Sequence, residues 1–427
     1  LLGDVVSTFS VWRSEARQIS LPLQYNQYSM KLHNNTIRGV HTALAAIFEE
    51  GQYADKVIER TLKSNPKWGA RDRSFIAETT YEMVRWWRLI NHLSPSKDYW
   101  DLFGTYWIMQ GNALPEWEEF ARLNPDKLKG KYEAITDPAL LGSVPDWLQN
   151  MGSSELGDKW EAEIRALNEE AEVVLRVNTL KTTRERLKNQ LAEDGIATYI
   201  VKGYPDALIL EERQNVFRNP AFKAGLFEVQ DASSQLVASA LAVEPGMRVI
   251  DACAGAGGKM LHLAALMENK GKVIAMDVEE WKLQQAKLRA RRNGVSIFEP
   301  KVIEGSKTIK RLKESADRLL LDVPCSGLGV LRRNPDTKWK LSVESIDKVR
   351  QAQQEILQSY PSMLKPGGQM VYATCSILPS ENELQVKKFL ESEAGKDFEL
   401  IEDRKVLAQE SGFDGFYIAR LMKKASK

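Results

Sequence analysis

Cysteine is scarce in this chain. There are three in 427 residues, Cys253, Cys325 and Cys375, with no Cys-x-x-Cys pair. An odd count without that pair argues against a disulfide framework and a zinc ribbon, so no metal is expected, and a reducing, cytoplasmic compartment is. Long apolar runs are missing too: no segment approaches the ~18–20 residues that cross a bilayer, and the start has no secretory pattern. Charge of one sign is absent, since 59 Lys and Arg face 58 Asp and Glu for a net charge of +1. That excludes a basic coat, and any nucleic-acid site has to be a local patch. No internal repeat and no low-complexity tract occurs. What remains, 43% hydrophobic and 27% charged residues, is the composition of a soluble globular protein. The length implies two or three domains, and a monomer is expected.

Residues 1–29 show no clear period, and periodic sequence begins at Met30. The expectation is an upstream extension or disordered tail, with Met30 the natural start. A targeting segment is the weaker alternative, because Asp4 and Glu15 oppose Arg13 and Arg17. Residues 30–167 read as a helical domain: Val40, Leu44, Ile47 and Phe48 recur at helical spacing, and prolines at 95, 115, 125, 138 and 145 punctuate it. Its tryptophans suit core packing rather than a ligand box. Residues 168–224 read as a small α/β unit of βαββ type: "EVVLRVNTL", a capped helix over 182–195, then "ATYIV" and "DALIL". From 225 to 427 apolar strands alternate with helices, which predicts α/β architecture with a parallel sheet covered on both faces.

The stretch "VIDACAGAGGKM" (249–260) puts Gly255, Gly257 and Gly258 directly after the first strand of that sheet. Glycines there let backbone approach a ligand and aim the next helix at it. Met260 stands where a Gly-x-Gly-x-x-Gly fingerprint needs its last glycine, and no Lys-Ser/Thr pair follows Gly258 as a P-loop requires. Asp277 ends the next strand, where an acid suits a ribose diol. The bland alternative is a tight turn and a helix-capping acid. An adenosine ligand without phosphate, such as S-adenosylmethionine, fits the pair better.

Cys325 in "LLLDVPCSGLG" and Cys375 in "VYATCS" both follow apolar strands. In a doubly wound sheet the crevice at the strands' carboxyl ends is the ligand site, so two thiols from neighbouring strands can converge there. Alone, each is as well explained as a buried thiol; Cys253 reads as a small hydrophobe filling its turn. Beside a methyl donor, a thiolate has a defined use. Carbon-5 of a pyrimidine is a poor nucleophile until a thiolate adds to carbon-6 and makes it enamine-like. An acid must stabilise the activated ring, and Asp322 is on the Cys325 loop; a base must then take the carbon-5 proton.

"DACAGAGGK", "LLLDVPCSGLGVLRRNPDTKW", "LKPGGQMVYATCSILPSENE", "FEVQDASSQLV", "LRVNTLK" and "DGFYIARLMK" resemble the motifs of the RsmB/NOP (Sun) family of RNA cytosine-5 methyltransferases, over about 175–422. "RRNPDTKW" is especially similar to the family's bacterial 16S ribosomal RNA branch. The resemblance implies a class I Rossmann-like methyltransferase domain at 225–427, an RRM-like unit at 168–224 and a NusB-like helical domain at 30–167. It implies Cys375 as the nucleophile, Cys325 as the cysteine that helps product release, and Asp322 as the acid contacting the base near the cofactor methyl. Cys253, Ala254, Gly255, Ala256, Gly257, Gly258 and Lys259 match the loop around the methionine part of S-adenosylmethionine, and Asp277 the ribose acid. Two departures stand out: Ala256 replaces the usual proline, and Ser306 the usual adenine-contacting aspartate, with Glu304 a substitute.

The expected partner is RNA, ribosomal before transfer RNA. Arg332, Arg333 and Lys338, with Trp339 and Lys340, leave the Cys325 loop and are the expected phosphate contacts. Lys287, Arg289, Arg291 and Arg292 read instead as a solvated helix face. Competing functions are the same chemistry on transfer RNA and a non-catalytic RNA-binding assembly factor; a nicotinamide oxidoreductase is disfavoured by the missing glycine fingerprint.

Overall fold

Helical periodicity in the first third of the chain does produce helices, and the strand–helix alternation after it produces sheets. The computed structural model describes residues 32–425, so the expected extension and Met30 lie outside the described residues. The chain forms two units, divided between Val144 and Pro145.

The first unit is helical. Asn34–Phe48, Ala54–Ser64, Ala70–Arg85, Trp87–Leu93 and Tyr99–Met109 are its longer helices before residue 110. Val40, Leu44, Ile47, Ile76, Met83 and Val84 are buried along their apolar faces. The aromatic residues pack on one another as expected: the Phe48 and Trp87 rings stack at 3.9 Å and those of Phe103 and Trp107 at 5.7 Å.

The domain boundary expected at 167 falls earlier, at 144. Helices Asp146–Leu156 and Trp160–Leu167 belong to the second unit. The reason is electrostatic as well as apolar. Buried Glu163 accepts the N–H groups of Ala408 at 2.8 Å and Gln409 at 3.0 Å. Glu155 accepts the Ser380 N–H at 2.9 Å and an Arg350 N–H at 2.8 Å.

Two sheets follow. The smaller holds β1 (Val174–Val177), β2 (Thr198–Tyr199), β3 (Ala207–Leu210) and β4 (Phe227–Val229), in the order β2-β3-β1-β4 with every pairing antiparallel. With the helices Arg184–Glu193 and Pro220–Lys223 between them, this is the split βαβ, or ferredoxin-like, arrangement. The expected end of this unit at 224 was too early, because β4 pairs with β1 rather than with the larger sheet.

The larger sheet holds β5 (Arg248–Asp251), β6 (Lys272–Asp277), β7 (Phe298–Val302), β8 (Ala316–Asp322), β9 (Leu364–Thr374), β10 (Phe398–Val406) and β11 (Phe416–Lys423). Their order is β10-β11-β9-β8-β5-β6-β7. Strands β5 to β9 pair in parallel, and β11 runs antiparallel between β9 and β10. Alternate residues enter separate cores. Val249, Val273, Leu320 and Val371 pack on one face, and Ile250, Ile274, Leu319 and Met370 on the other. With both faces apolar, polar chemistry is left to the edge where the strands end. The order reverses between β5 and β8, which opens a crevice there.

The small sheet is tied to the large one through buried charge. Glu228 on β4 accepts from Arg289 at 2.9 Å and from Arg292 and Asn293, all on helix Glu280–Asn293. Arg289 and Arg292 are therefore structural anchors, not the solvated face expected of them, whereas Lys287 and Arg291 are exposed. Burial alone would raise the Glu228 carboxyl, but these donors outweigh it and hold it below its ordinary value. Its stabilising contribution is present above about pH 4.5 and is lost as pH falls through the depressed folded value. Glu228→Gln should cost about 3–5 kcal/mol at pH 7. Denaturation as a function of pH should show the gap to the unsubstituted protein narrowing below about pH 4.5. A gap independent of pH would exclude charge pairing as its cause.

Candidate active site

The crevice is built by four strand ends. After β5 the chain turns through Gly255 at φ +53° and Gly257 at φ +84°, left-handed conformations open to glycine. Gly257 also has no room for a side chain, since a Cβ there would lie 2.9 Å from that of Ala286. Helix Gly258–Leu266 starts at this point. Asp277, ending β6, fixes the turn by accepting the Gly255 N–H at 2.9 Å through one oxygen and the Glu279 N–H at 2.9 Å through the other. Two arginines hold the turn's carbonyls: Arg289 donates to Ala256 O at 2.9 Å, and buried Arg176 on β1 donates to Gly258 O at 2.5 Å.

Lys259 follows the turn and donates to Asp322, at the end of β8, at 2.6 Å. Burial alone would lower the Lys259 ammonium, but Asp322 outweighs it and holds it above its ordinary value. Asp251, at the end of β5, is fully buried. Burial, with Asp322 nearby, pushes its carboxyl up to about 7. Burial likewise pushes the Cys253 thiol well up.

The two loops carrying the other thiols meet. Cys325 Sγ and Cys375 Sγ are 3.1 Å apart, and the Cys375 N–H points at Cys325 Sγ at 3.3 Å. Gly329 allows the approach: its N–H donates to Cys375 O at 2.9 Å, and a Cβ there would lie 2.2 Å from Gly415 O. Both cysteines, Lys259, Asp322, Arg333 and Phe416 line one cavity of about 360 Å³.

The expected phosphate contacts are corrected by this geometry. Arg332 is buried and donates to Gly412 O at 2.5 Å and Glu170 O at 2.7 Å. Lys338 is fully buried and donates to Asn168 at 3.1 Å. Both fasten the segment leading into β1, and a buried donor spent inside the protein is not presented to an RNA backbone. Arg333 reaches the cavity but is clamped by Asp414 at 2.6 Å and Asp231 at 2.9 Å. Burial, helped by Asp231, pushes the Asp414 carboxyl up to about 6 against the pull of Arg333. Ser306 and Glu304 are exposed beside Gly305, next to the β6 end, where Ile303 N donates to Asp277 O at 2.9 Å.

Sequence reasoning placed Lys259 only in the glycine turn and overlooked its ion pair with Asp322. It also overlooked Arg176 and Arg289 as props of that turn, and Phe416 as a wall of the cavity. "LRVNTLK" and "DGFYIARLMK" contain two of these residues, but nothing in either segment says which distant loop it meets.

A glycine-rich turn at a switch point, an acid ending the next strand and a cavity lined by two thiols beside them are the arrangement of a Rossmann-like S-adenosylmethionine-dependent methyltransferase. The residues fit that cofactor: a Cβ at Gly255 or Gly305 would meet nothing within 4 Å, so backbone approach is open. Each Asp277 oxygen keeps a lone pair beyond the one backbone N–H it accepts, and Val278 beside it is 66% exposed and apolar. The profile described as 16S rRNA methyltransferase RsmB/F matches residues 238–422, and that of the RsmF/B-like ferredoxin-like domain residues 144–217. The "Probable ribosomal RNA small subunit methyltransferase B" of Synechocystis is 36% identical, covering 66% of this chain and 67% of its own. The crystal structure of PH0851 is similar with a TM-score of 0.77 at 26% identity, covering 92% of this chain and 100% of that one. A methyltransferase homolog of Pyrococcus horikoshii has a TM-score of 0.59 at 28% identity, covering 67% and 98%. The chain belongs to the 16S rRNA methyltransferase RsmB/F family. It spans about two thirds of the length of the curated relatives it matches.

Gly257→Ala should weaken S-adenosylmethionine binding about tenfold, measured by titration calorimetry, because it strains a left-handed turn and presses on Ala286. Unchanged affinity would mean that the turn does not shape the cofactor site.

Proposed function

We propose that the protein methylates carbon-5 of a cytosine in small-subunit ribosomal RNA through a covalent bond from Cys375 to carbon-6. The observation that carries the reading is the pair of thiols 3.1 Å apart in one cavity with the Lys259–Asp322 ion pair. Bound through the 253–259 turn, Asp277 and the Glu304–Ser306 corner, S-adenosylmethionine supplies an electrophilic methyl group. Cys375, as thiolate, adds to carbon-6 and makes carbon-5 nucleophilic. Asp322 contacts the ring, and its ion pair with Lys259 holds it in one orientation. Once carbon-5 carries the methyl group, water in the open cavity acts as the base and takes the carbon-5 proton; that C–H pair re-forms the 5,6 double bond and the Cys375–carbon-6 pair returns to sulfur. Contact with Cys375 and burial push the Cys325 thiol well up, so it stays an S–H able to donate to the departing Cys375 sulfur.

The names of the curated relatives favour ribosomal over transfer RNA. A non-catalytic assembly factor would have no use for two thiols in contact. The test is incubation with labelled S-adenosylmethionine and small-subunit RNA from a methylation-deficient host, with mapping of the modified base. Cys375→Ala should lose transfer by at least about a thousandfold, as expected for loss of a nucleophile. Cys325→Ala should instead accumulate an RNA–protein adduct that survives denaturing electrophoresis. Methylation at a normal rate by Cys375→Ala would refute the mechanism.

A further inference from the structure

One buried acid beside the thiols has no part in the chemistry so far. Glu381 is fully buried, at the end of the short helix Pro379–Glu381 that follows the Cys375 loop. A carboxylate survives in such a place only among donors, and here they come from both cysteine loops. The N–H of Ser326, the residue after Cys325, donates to Oε2 at 2.8 Å. The hydroxyl of Ser376, the residue after Cys375, donates to Oε1 at 2.6 Å. Gln353 donates to Oε2 at 3.1 Å and to Pro324 O at 3.0 Å. The Tyr372 hydroxyl donates to the Glu381 carbonyl at 2.6 Å, and the two serine hydroxyls are 3.2 Å apart. One carboxylate therefore bridges the residues that follow the two thiols.

We propose that Glu381 is a positioning residue for the thiol pair: it holds the Cys325 and Cys375 loops together and keeps Cys325 as the S–H partner of Cys375. The proposal rests on the reading of Cys375 as the nucleophile. A buried negative charge bonded to the residue after Cys325 disfavours a second negative charge on that sulfur. The groups facing Cys325 are the Cys375 sulfur, Glu381, the Tyr372 phenol and the Gly327 N–H. Contact with Cys375 and burial push the Cys325 thiol up, the Glu381 charge adds to this, and the Gly327 N–H pulls the other way. The two cations lining the cavity are already engaged, Lys259 by Asp322 and Arg333 by Asp414 and Asp231. Two adjacent sulfurs share one charge, and the Glu381 charge is one of the groups that disfavour placing it on Cys325.

A purely structural staple and a charge device differ in one respect. In Glu381→Gln the amide oxygen can still accept from Ser326 and Gln353, while the Ser376 hydroxyl turns to accept from the amide nitrogen. The Ser376 hydroxyl already accepts the Leu378 N–H, so it turns its own proton to Ser326 Oγ; the bridge keeps its contacts with that serine–serine bond reversed, and the charge is lost. The experiment compares full-length Cys375→Ser with Cys375→Ser/Glu381→Gln, alkylated with iodoacetamide across pH, with Cys325 labelling read by peptide mass. The midpoint for Cys325 should fall by about one pH unit or more in the double variant. With both cysteines present, Glu381→Gln should lower kcat at least about tenfold, with KM for RNA and S-adenosylmethionine within about threefold. Glu381→Asp, charged but shorter, should keep the high midpoint and still lose kcat. An unshifted midpoint in the glutamine variant, or kcat near normal in both Glu381 variants, overturns the proposal. Alkylation involves no methyl transfer, so retained methylation by Cys375→Ala would remove the nucleophile assignment and leave the alkylation result standing.

Discussion

Between β5 and β8 the strand order reverses, and both faces of the sheet there are packed with aliphatic side chains. Neither face can accept a polar ligand without emptying a core. Polar and reactive groups are consequently confined to the carboxyl edge, and the switch point is the one place where neighbouring loops diverge instead of crossing. The glycine turn, Asp322 and both reactive loops occupy that edge because the parallel register leaves them nowhere else. The antiparallel β11 contributes by a different route. It enters beside β9 from the opposite direction, so its first residue, Phe416, meets the end of β9 and closes the cavity.

Around this edge the charges are arranged in partly buried ion pairs. Lys259 with Asp322, Arg333 with Asp231 and Asp414, and Glu228 with Arg289 and Arg292 each join segments distant in sequence. Desolvation makes each of these ions costly alone, so each fixes the position of its partner. The small sheet is a participant in this, not an appendage. Arg176 from β1 and Glu228 from β4 reach the same glycine turn, one directly and one through Arg289. Displacement of the small sheet would strip the Gly258 carbonyl of its donor and release Arg289, the donor to Ala256 O, from Glu228.

What could be read in advance follows the range of the interactions. The strands β5, β6, β8 and β9 are continuous apolar runs, and the glycine turn is a local conformational demand, so both were legible, as were the cysteines at strand ends. The boundaries at 167 and 224 were not, because they depend on where Glu163 finds its N–H donors and which strand β4 pairs with. The arginines after Cys325 misled for the same reason. A basic run looks alike whether its donors face solvent or backbone carbonyls, and only the distant Glu170, Gly412 and Asn168 decide it for Arg332 and Lys338.

That outcome bears on how RNA is held. Arg332 and Lys338 spend their charge inside the protein, and Arg333 sits at the cavity mouth between two carboxylates. The cavity rim therefore offers a flipped base little net positive charge beyond the Lys259–Asp322 pair, which is itself neutral overall. On the proposed mechanism, retention of the base would rest on enclosure beside Phe416 and on the covalent bond to Cys375, and backbone attraction would have to come from residues away from the cavity. In that division of labour the cavity needs precise thiol geometry more than electrostatic pull, which is consistent with two cysteine loops clamped by shared hydrogen bonds instead of left as flexible strand ends.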